Sequence, residues 1–441
     1  LKNMSEPVTA GRVFSFWLPL MGTWLLMAVD GPLLTALIAR MVDAEPNLAA
    51  YGVAFSLALV AEAPIIMLMS ASTSLASSPL AYRRLRNFTA GLTLLVTLVP
   101  ALLLLPWPYR VLMEQLVGLS PEIAGRAHPA LLALIPWAAA IGWRRFYQGV
   151  LIRNHQTRKV VAGTCFRLLG MGGCGLLLFR YTGLSGALLG GLALSCGVLS
   201  ELLASRLLAS RVIRATLALP ERGIIMGYGE LSRYYLPLAL TPFITLCVHP
   251  LVIFFLGKGR FPLESLAVMP VLGALTFIFR AVGLSYQEVV IALLGSDFRG
   301  YRVLRNFAWG LAASASGILL LIALTPLSTL WLQRVAGLSP ALVDFSRVPL
   351  VLMALLPAGS VISSFQRAVL LAGRLTRPVS TATMVEAGVI FGLLTLLLLY
   401  SSLPGAICAA IAYVAGRLCT LLWMVYPCLL VVRRQAAAVR I

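Results

Sequence analysis

Twelve ionisable side chains lie within long apolar runs of this sequence: Asp30, Glu62, Arg144, Arg145, Arg167, Glu201, Arg233, Arg280, Glu288, Arg367, Glu386 and Arg417. In the middle of a bilayer each would cost roughly 2.5–3.5 kcal/mol on the insertion scale, so each needs a partner, a wet cavity or a task. Seven are arginines and five are carboxylates. A guanidinium is a planar, permanently charged fork that matches carboxylate and phosphate oxygens two at a time, so anion binding is the first chemistry offered. Asp30 stands just before Pro32, and His249 just before Pro250. Such a group beside a proline, which frees a backbone carbonyl one turn earlier, is a candidate for proton or cation coupling, and Glu62 is a third. Arg145, Gln148 and Ile152 fall at spacings of three and four and share a helix face, while Arg144 points about 100° away. One of the two arginines is therefore expected to line water. Arg233 lies near a helix end, where its head reaches the interface by snorkelling.

The elements that must hold these residues follow from composition. Of 441 residues only 11% are charged and 60% are apolar, with a mean hydropathy of +0.94. That leaves too little polar surface to cover a water-soluble globule. Runs such as 91–106 and 389–400 are apolar on every face, which excludes the alternating pattern of a β-barrel and leaves helices as the spanning element. The expected fold class is an all-α membrane protein of about twelve transmembrane helices. Their windows are 13–37, 48–77, 88–109, 127–152, 160–180 and 184–210, then 231–257, 264–294, 305–332, 345–372, 379–400 and 404–432. The first is read as a retained span and not a cleaved leader. The seven cysteines lie in apolar runs without metal-ligand spacing, so neither a disulfide framework, nor a metal site, nor a cofactor is expected.

With the N-terminus in the cytoplasm, twenty of the 35 basic residues fall in cytoplasmic segments, eight on the other side and seven within spans. The bias places both termini in the cytoplasm, and the chain is expected in a bacterial inner membrane. It also accounts for the net charge of +20: basic loops beside spans face anionic headgroups, so the partners expected are the bilayer and a small solute, with no nucleic acid.

The chain repeats itself. Tyr82-Arg-Arg-Leu-Arg-Asn-Phe-Thr-Ala-Gly-Leu92 and Tyr301-Arg-Val-Leu-Arg-Asn-Phe-Ala-Trp-Gly-Leu311 agree at eight of eleven positions with an offset of 219. The same offset relates Gly118-Leu-Ser-Pro121 to Gly337-Leu-Ser-Pro340, and Gly186-Ala187 to Gly405-Ala406. An offset of 218 relates Leu18-Pro-Leu20 to Leu236-Pro-Leu238. Two parallel, pseudo-symmetric six-helix lobes follow, 1–214 and 228–441, joined by a cytoplasmic linker at 215–227. Such a pair offers a midplane cavity that opens to either side by rocking. The repeat sets Glu62 against Arg280, Arg167 against Glu386, and Gln148 against Arg367. Facing a shared axis, the opposite charges would bridge the lobes or bind the solute; otherwise each is paired inside its own lobe to fix packing.

No phosphate loop, nucleotide fingerprint, HExxH or GxSxG motif is present, so no enzyme and no motif-driven ATP hydrolysis is indicated. The twelve spans in two parallel lobes, with prolines densest in helices 1 and 7, resemble the superfamily of multidrug and toxic compound extrusion (MATE) transporters, polysaccharide flippases and lipid-linked precursor flippases. Within it, Ala50-Tyr-Gly-Val-Ala-Phe-Ser-Leu57, Pro64, Pro136 and Trp143 are similar to the progressive ankylosis protein family. That likeness implies export of citrate-, nucleotide- or pyrophosphate-type anions. The expectation is a monomeric alternating-access exporter of a small organic or phosphate-containing anion. Arg280, Glu62, Arg145, Gln148, Arg367, Arg167 and Glu386 would line its substrate site, and Asp30, Glu62 and His249 would serve ion coupling. The competing expectations are a proton- or sodium-coupled exporter of drug cations and a lipid-linked precursor flippase.

Overall fold

A computed structural model describes residues 8–27, 29–116, 121–221, 226–256, 259–295, 298–336 and 338–438, apart from the side chains of Pro32, Glu45, Leu116, Cys247, His249, Pro250, Val335 and 436–438. Helices follow one another as α1 (Ala10–Met27), α2 (Asp30–Ile38), α3 (Ala44–Glu62), α4 (Leu68–Leu75), α5 (Pro79–Leu103), α6 (Pro106–Arg110), α7 (Pro121–Arg153), α8 (Thr157–Tyr181) and α9 (Gly186–Leu217). The second series is α10 (Tyr228–Leu256), α11 (Pro262–Leu284), α12 (Tyr286–Leu293), α13 (Tyr301–Leu324), α14 (Leu327–Thr329), α15 (Pro340–Met353), α16 (Leu356–Ala372), α17 (Arg377–Tyr400) and α18 (Gly405–Ala438). Among the described residues ten helical stretches are long and apolar enough to cross a membrane. The two other expected spans correspond to α1 with α2, which are two separate helices, and to α7, which carries several charges.

Local sequence sets these limits, and it does so twice. Pro64 cannot donate to the helix ladder, so α3 gives way to a 3-10 turn at Ala63–Ile65 before α4 resumes the span. The mate of this break is the joint between α11 and α12 at Ser285. His155 and Arg374, related by the offset of 219, both take left-handed backbone angles just beyond α7 and α16. Single π-helical turns at Val111–Leu116 and Leu330–Val335 also keep that offset. One difference is that α7 runs unbroken across 33 residues, whereas its mate divides at 354–355 into α15 and α16. Pro357, in the first turn of α16, has no counterpart at Ala138, and the division falls just ahead of it.

The chain forms two compact units, one of residues 22–242 and one of residues 1–21 with 243–441. They differ from the halves drawn at 214 and 228, because the charge pattern marks a linker but not where the first helix of each repeat packs. Trp17 in α1 donates from Nε1 to Ser285 Oγ at 2.9 Å and to the Val282 carbonyl at 3.3 Å, and its ring meets Phe307 edge-on. Tyr235 in α10 donates to the Pro64 carbonyl at 2.7 Å and its ring meets Phe88 edge-on. These are the same contacts in the two repeats, since Trp17 and Tyr235, Val282 and Pro64, and Phe307 and Phe88 are all mates at 218 or 219. The opening turns of α1 thus complete the later unit, and those of α10 the earlier one.

Small residues let the helices approach within each unit. A Cβ on Gly283 of α11 would lie 2.6 Å from the Val361 backbone nitrogen and 2.8 Å from the Ser360 carbonyl carbon of α16. Backbone cannot yield there as a side-chain tip can. Gly283→Val is therefore expected to destabilise the protein by about 1–3 kcal/mol, read as a lowered unfolding midpoint in detergent; an unchanged midpoint would contradict the packing. This close approach holds α11 beside the polar stretch of α16.

Candidate functional site

In the earlier unit the apolar packing of α7, α8 and α9 encloses a charged network. Glu201 of α9 is fully buried and accepts hydrogen bonds from Arg144 Nη1 at 2.5 Å, Gln148 Nε2 at 3.0 Å and Thr164 Oγ1 at 3.0 Å. Arg167 of α8 stands 3.6 Å from the same carboxylate and makes a close ion pair with Asp30 at the start of α2. Arg145 bonds Glu62 at 3.2 Å. Three arginines therefore meet three carboxylates, and the network is neutral as a whole.

This arrangement revises three expectations. Arg144 and Arg145 do diverge, but neither lines water: their exposures are 1% and 8%, and both are ion-paired. Gln148 works with Arg144, four residues before it, on the face toward α9, and not with Arg145. Glu62 finds its counter-charge inside its own unit, in Arg145, which is the alternative that set each charge within a lobe. Arg233, at the start of α10, is exposed, as snorkelling requires. The side chain of His249 lies outside the described residues.

The later unit builds its polar core at partly the same positions with different charges, and adds Arg417 and Ser360 where the earlier unit has Val198 and Ile141. Arg417 of α18 pairs with Glu386 of α17 at 2.9 Å and donates to Ser363 Oγ at 3.2 Å. Glu386 also accepts from Thr420 Oγ1 at 3.3 Å. Arg280 of α11 donates from Nε to Ser360 Oγ at 3.2 Å, and Arg367 of α16 donates to Thr383 Oγ1 at 3.3 Å. Among the described residues neither Arg280 nor Arg367 has a carboxylate within ion-pair distance; Glu386 and Arg417 act on both electrostatically. The Nε atoms of Arg367 and Arg417 are buried with no hydrogen-bond partner among the described residues. Three guanidinium groups thus surround one carboxylate.

The offset of 219 relates several groups of the two cores. Thr164 corresponds to Thr383, Glu201 to Thr420, Arg144 to Ser363 and Arg167 to Glu386. Arg167 beside Glu201 is matched by Glu386 beside Thr420. Gln148 and Thr164, both on Glu201, are matched by Arg367 donating to Thr383. Sequence reasoning singled out Asp30, Glu62, Arg145, Gln148 and Arg167 in one core, and Arg280, Arg367 and Glu386 in the other. It passed over Glu201 and Arg417 as site residues, along with the hydroxyls of Thr164, Ser360, Ser363, Thr383 and Thr420. The repeat carried a signal for some of them, because Thr164 and Thr383 are an identical polar pair one turn before Arg167 and Glu386. Among the described residues no group of three His, Cys, Asp or Glu side chains is placed to hold a metal ion.

Two six-helix repeats, each with a broken second span and a polar core on its fourth to sixth, give this chain the fold of the MATE transporters of the MOP superfamily. A eukaryotic MATE transporter, AtDTX14, superposes with a TM-score of 0.73 at 15% identity, over 97% of this chain and 98% of that one. The Vibrio cholerae MATE transporter VcmN in its bent form gives 0.70 at 12% identity, over 97% of each chain. A MOP superfamily transporter from Pyrococcus furiosus gives 0.67 at 12% identity, over 96% of each. No protein-family model matches the sequence, and no curated protein matches it.

Proposed function

We propose that the chain is an alternating-access secondary transporter that exports a small organic or phosphate-containing anion. The fold supports the transport mechanism. The observation that carries the polarity of the substrate is the surplus of guanidinium in the later unit, where, among the described residues, Arg280 and Arg367 have only hydroxyl partners. An anion entering such a site loses water that fixed positive charge and oriented N–H groups replace. The Pyrococcus furiosus transporter of the same fold is described as having a binding pocket of reverse polarity that suggests a different function.

A drug-cation exporter would need carboxylates free to receive positive charge. Asp30, Glu62 and Glu201 are instead each engaged by arginine. Asp30 and Glu62 remain the coupling residues of this proposal, and a proton or cation arriving there must displace Arg167 or Arg145. Uptake of labelled anions and cations by proteoliposomes, with and without a pH gradient, tests the proposal. Uptake of cationic dyes abolished by Asp30→Asn, with no anion transported, would replace it by the multidrug reading.

Orientation is a separate expectation. A cysteine at Arg374, in a cysteine-free background, should resist a membrane-impermeant maleimide added to intact cells, whereas one at Val42, which is 86% exposed, should react. The opposite pattern would invert the topology.

A further inference from the structure

We infer that the polar core of the later unit is tuned to a dianion, and that Glu386 sets this valence; the inference rests on the anion-transport reading above. Three guanidinium groups and one carboxylate leave two positive charges uncompensated. The charged and titratable groups acting on Arg280 are Arg417, Glu386, Tyr413 and Arg367, and those acting on Arg367 are Arg417 and Glu386. Tyr413 is a neutral phenol, and Glu288, the other buried carboxylate of this unit, lies on α12 and is in neither set. Among the described residues the count therefore rests on α11, α16, α17 and α18.

In a helix bundle bounded by apolar side chains, such as Leu272, Leu275, Leu356 and Leu394, charge is poorly screened, so a ligand that brings the site to neutrality is favoured over one that does not. A monoanion leaves one guanidinium uncompensated. A trianion leaves a surplus negative charge beside Glu386. A dianion of two carboxylates, or one doubly ionised phosphate, leaves neither. Partners are also on hand for its oxygens: among the described residues Arg280 and Arg367 donate only to single hydroxyls, and the Nε groups of Arg367 and Arg417 have no hydrogen-bond partner. The equivalent core of the earlier unit has no such surplus, because Asp30 and Glu201 take up Arg167 and Arg144 there.

The test is a valence series on the full-length protein in detergent, by calorimetry or by displacement of a bound reporter at constant ionic strength and neutral pH. Propionate, succinate and propane-1,2,3-tricarboxylate carry one, two and three charges on similar carbon frames. Succinate should bind about tenfold or more tighter than either neighbour in the series. Glu386→Gln raises the surplus to three and should move the optimum to the tricarboxylate, while Arg367→Gln lowers it to one and should move the optimum toward propionate. Arg233→Gln, on an exposed helix end, should leave the order unchanged. If neither these three nor inorganic phosphate binds to the wild-type protein, the anion reading itself fails. If all bind but affinity follows size, or rises steadily with charge, the valence inference fails while anion transport stands. If the variants do not fold, the wild-type order alone decides.

Discussion

Glu201→Ala is expected to prevent the folded protein from accumulating. This carboxylate is fully buried and compensates Arg144 directly, with Arg167 3.6 Å away, while also accepting from Gln148 and Thr164. Removing one partner of a buried pair leaves an uncompensated charge and costs about 3–5 kcal/mol, a large part of the 5–15 kcal/mol typical of a whole domain. Here two guanidinium groups lose their shared anion at once. The monodisperse fraction recovered in detergent should fall severalfold or more, and any residue should unfold at a lower temperature. Glu201→Gln keeps the acceptor but not the charge and should fall between. A normal yield and midpoint for Glu201→Ala would show that the network does not hold this unit together.

Arg280→Gln should act in the opposite sense, on transport and not on abundance. Among the described residues Arg280 has a single hydrogen bond, to Ser360, and no carboxylate within ion-pair distance, while Glu386 already has Arg417. A charge-assisted hydrogen bond to a bound anion contributes about 1.5–3 kcal/mol, which corresponds to roughly a ten- to hundredfold loss of anion uptake. Removing a surplus positive charge relieves repulsion with Arg417 and Arg367, so the variant should be at least as abundant as the wild type. Full anion uptake by this variant would remove Arg280 from the site. The contrast between the two substitutions separates a charge that fixes packing from one that awaits a ligand.

Much of this was legible in the residues. The repeat, the spans and the arginines and carboxylates buried within them could all be read from spacing and hydropathy, because lipid makes every charge conspicuous. What spacing does not encode is which of several facing helices supplies a partner. Glu62 and Arg280 are mates in the repeat, yet mates occupy equivalent places in two bundles and need not touch. Glu62 turns to Arg145, which sits on the fourth span of its own unit. Glu201 stayed inconspicuous for a related reason: nothing local distinguishes a lone carboxylate on α9, and its importance comes from three donors on α7 and α8. The hydroxyls were harder still, since serine and threonine are common in membrane helices and show a role only when an arginine is found pointing at them.

The exchange of opening turns between the two units bears on the order in which the protein assembles. Tyr235 meets Pro64, which was made 171 residues before it, so residues 22–242 hold all that their own unit needs by the time α10 enters the membrane. Trp17 is in the reverse position, because its acceptors at Val282 and Ser285 lie 265 and 268 residues downstream. At ordinary rates of synthesis that interval is on the order of tens of seconds. Throughout it, the start of α1 is without the neighbours it ends up with. A segment made well before its partners is therefore completed late, and closing that contact is what joins α1 to the rest of the later unit.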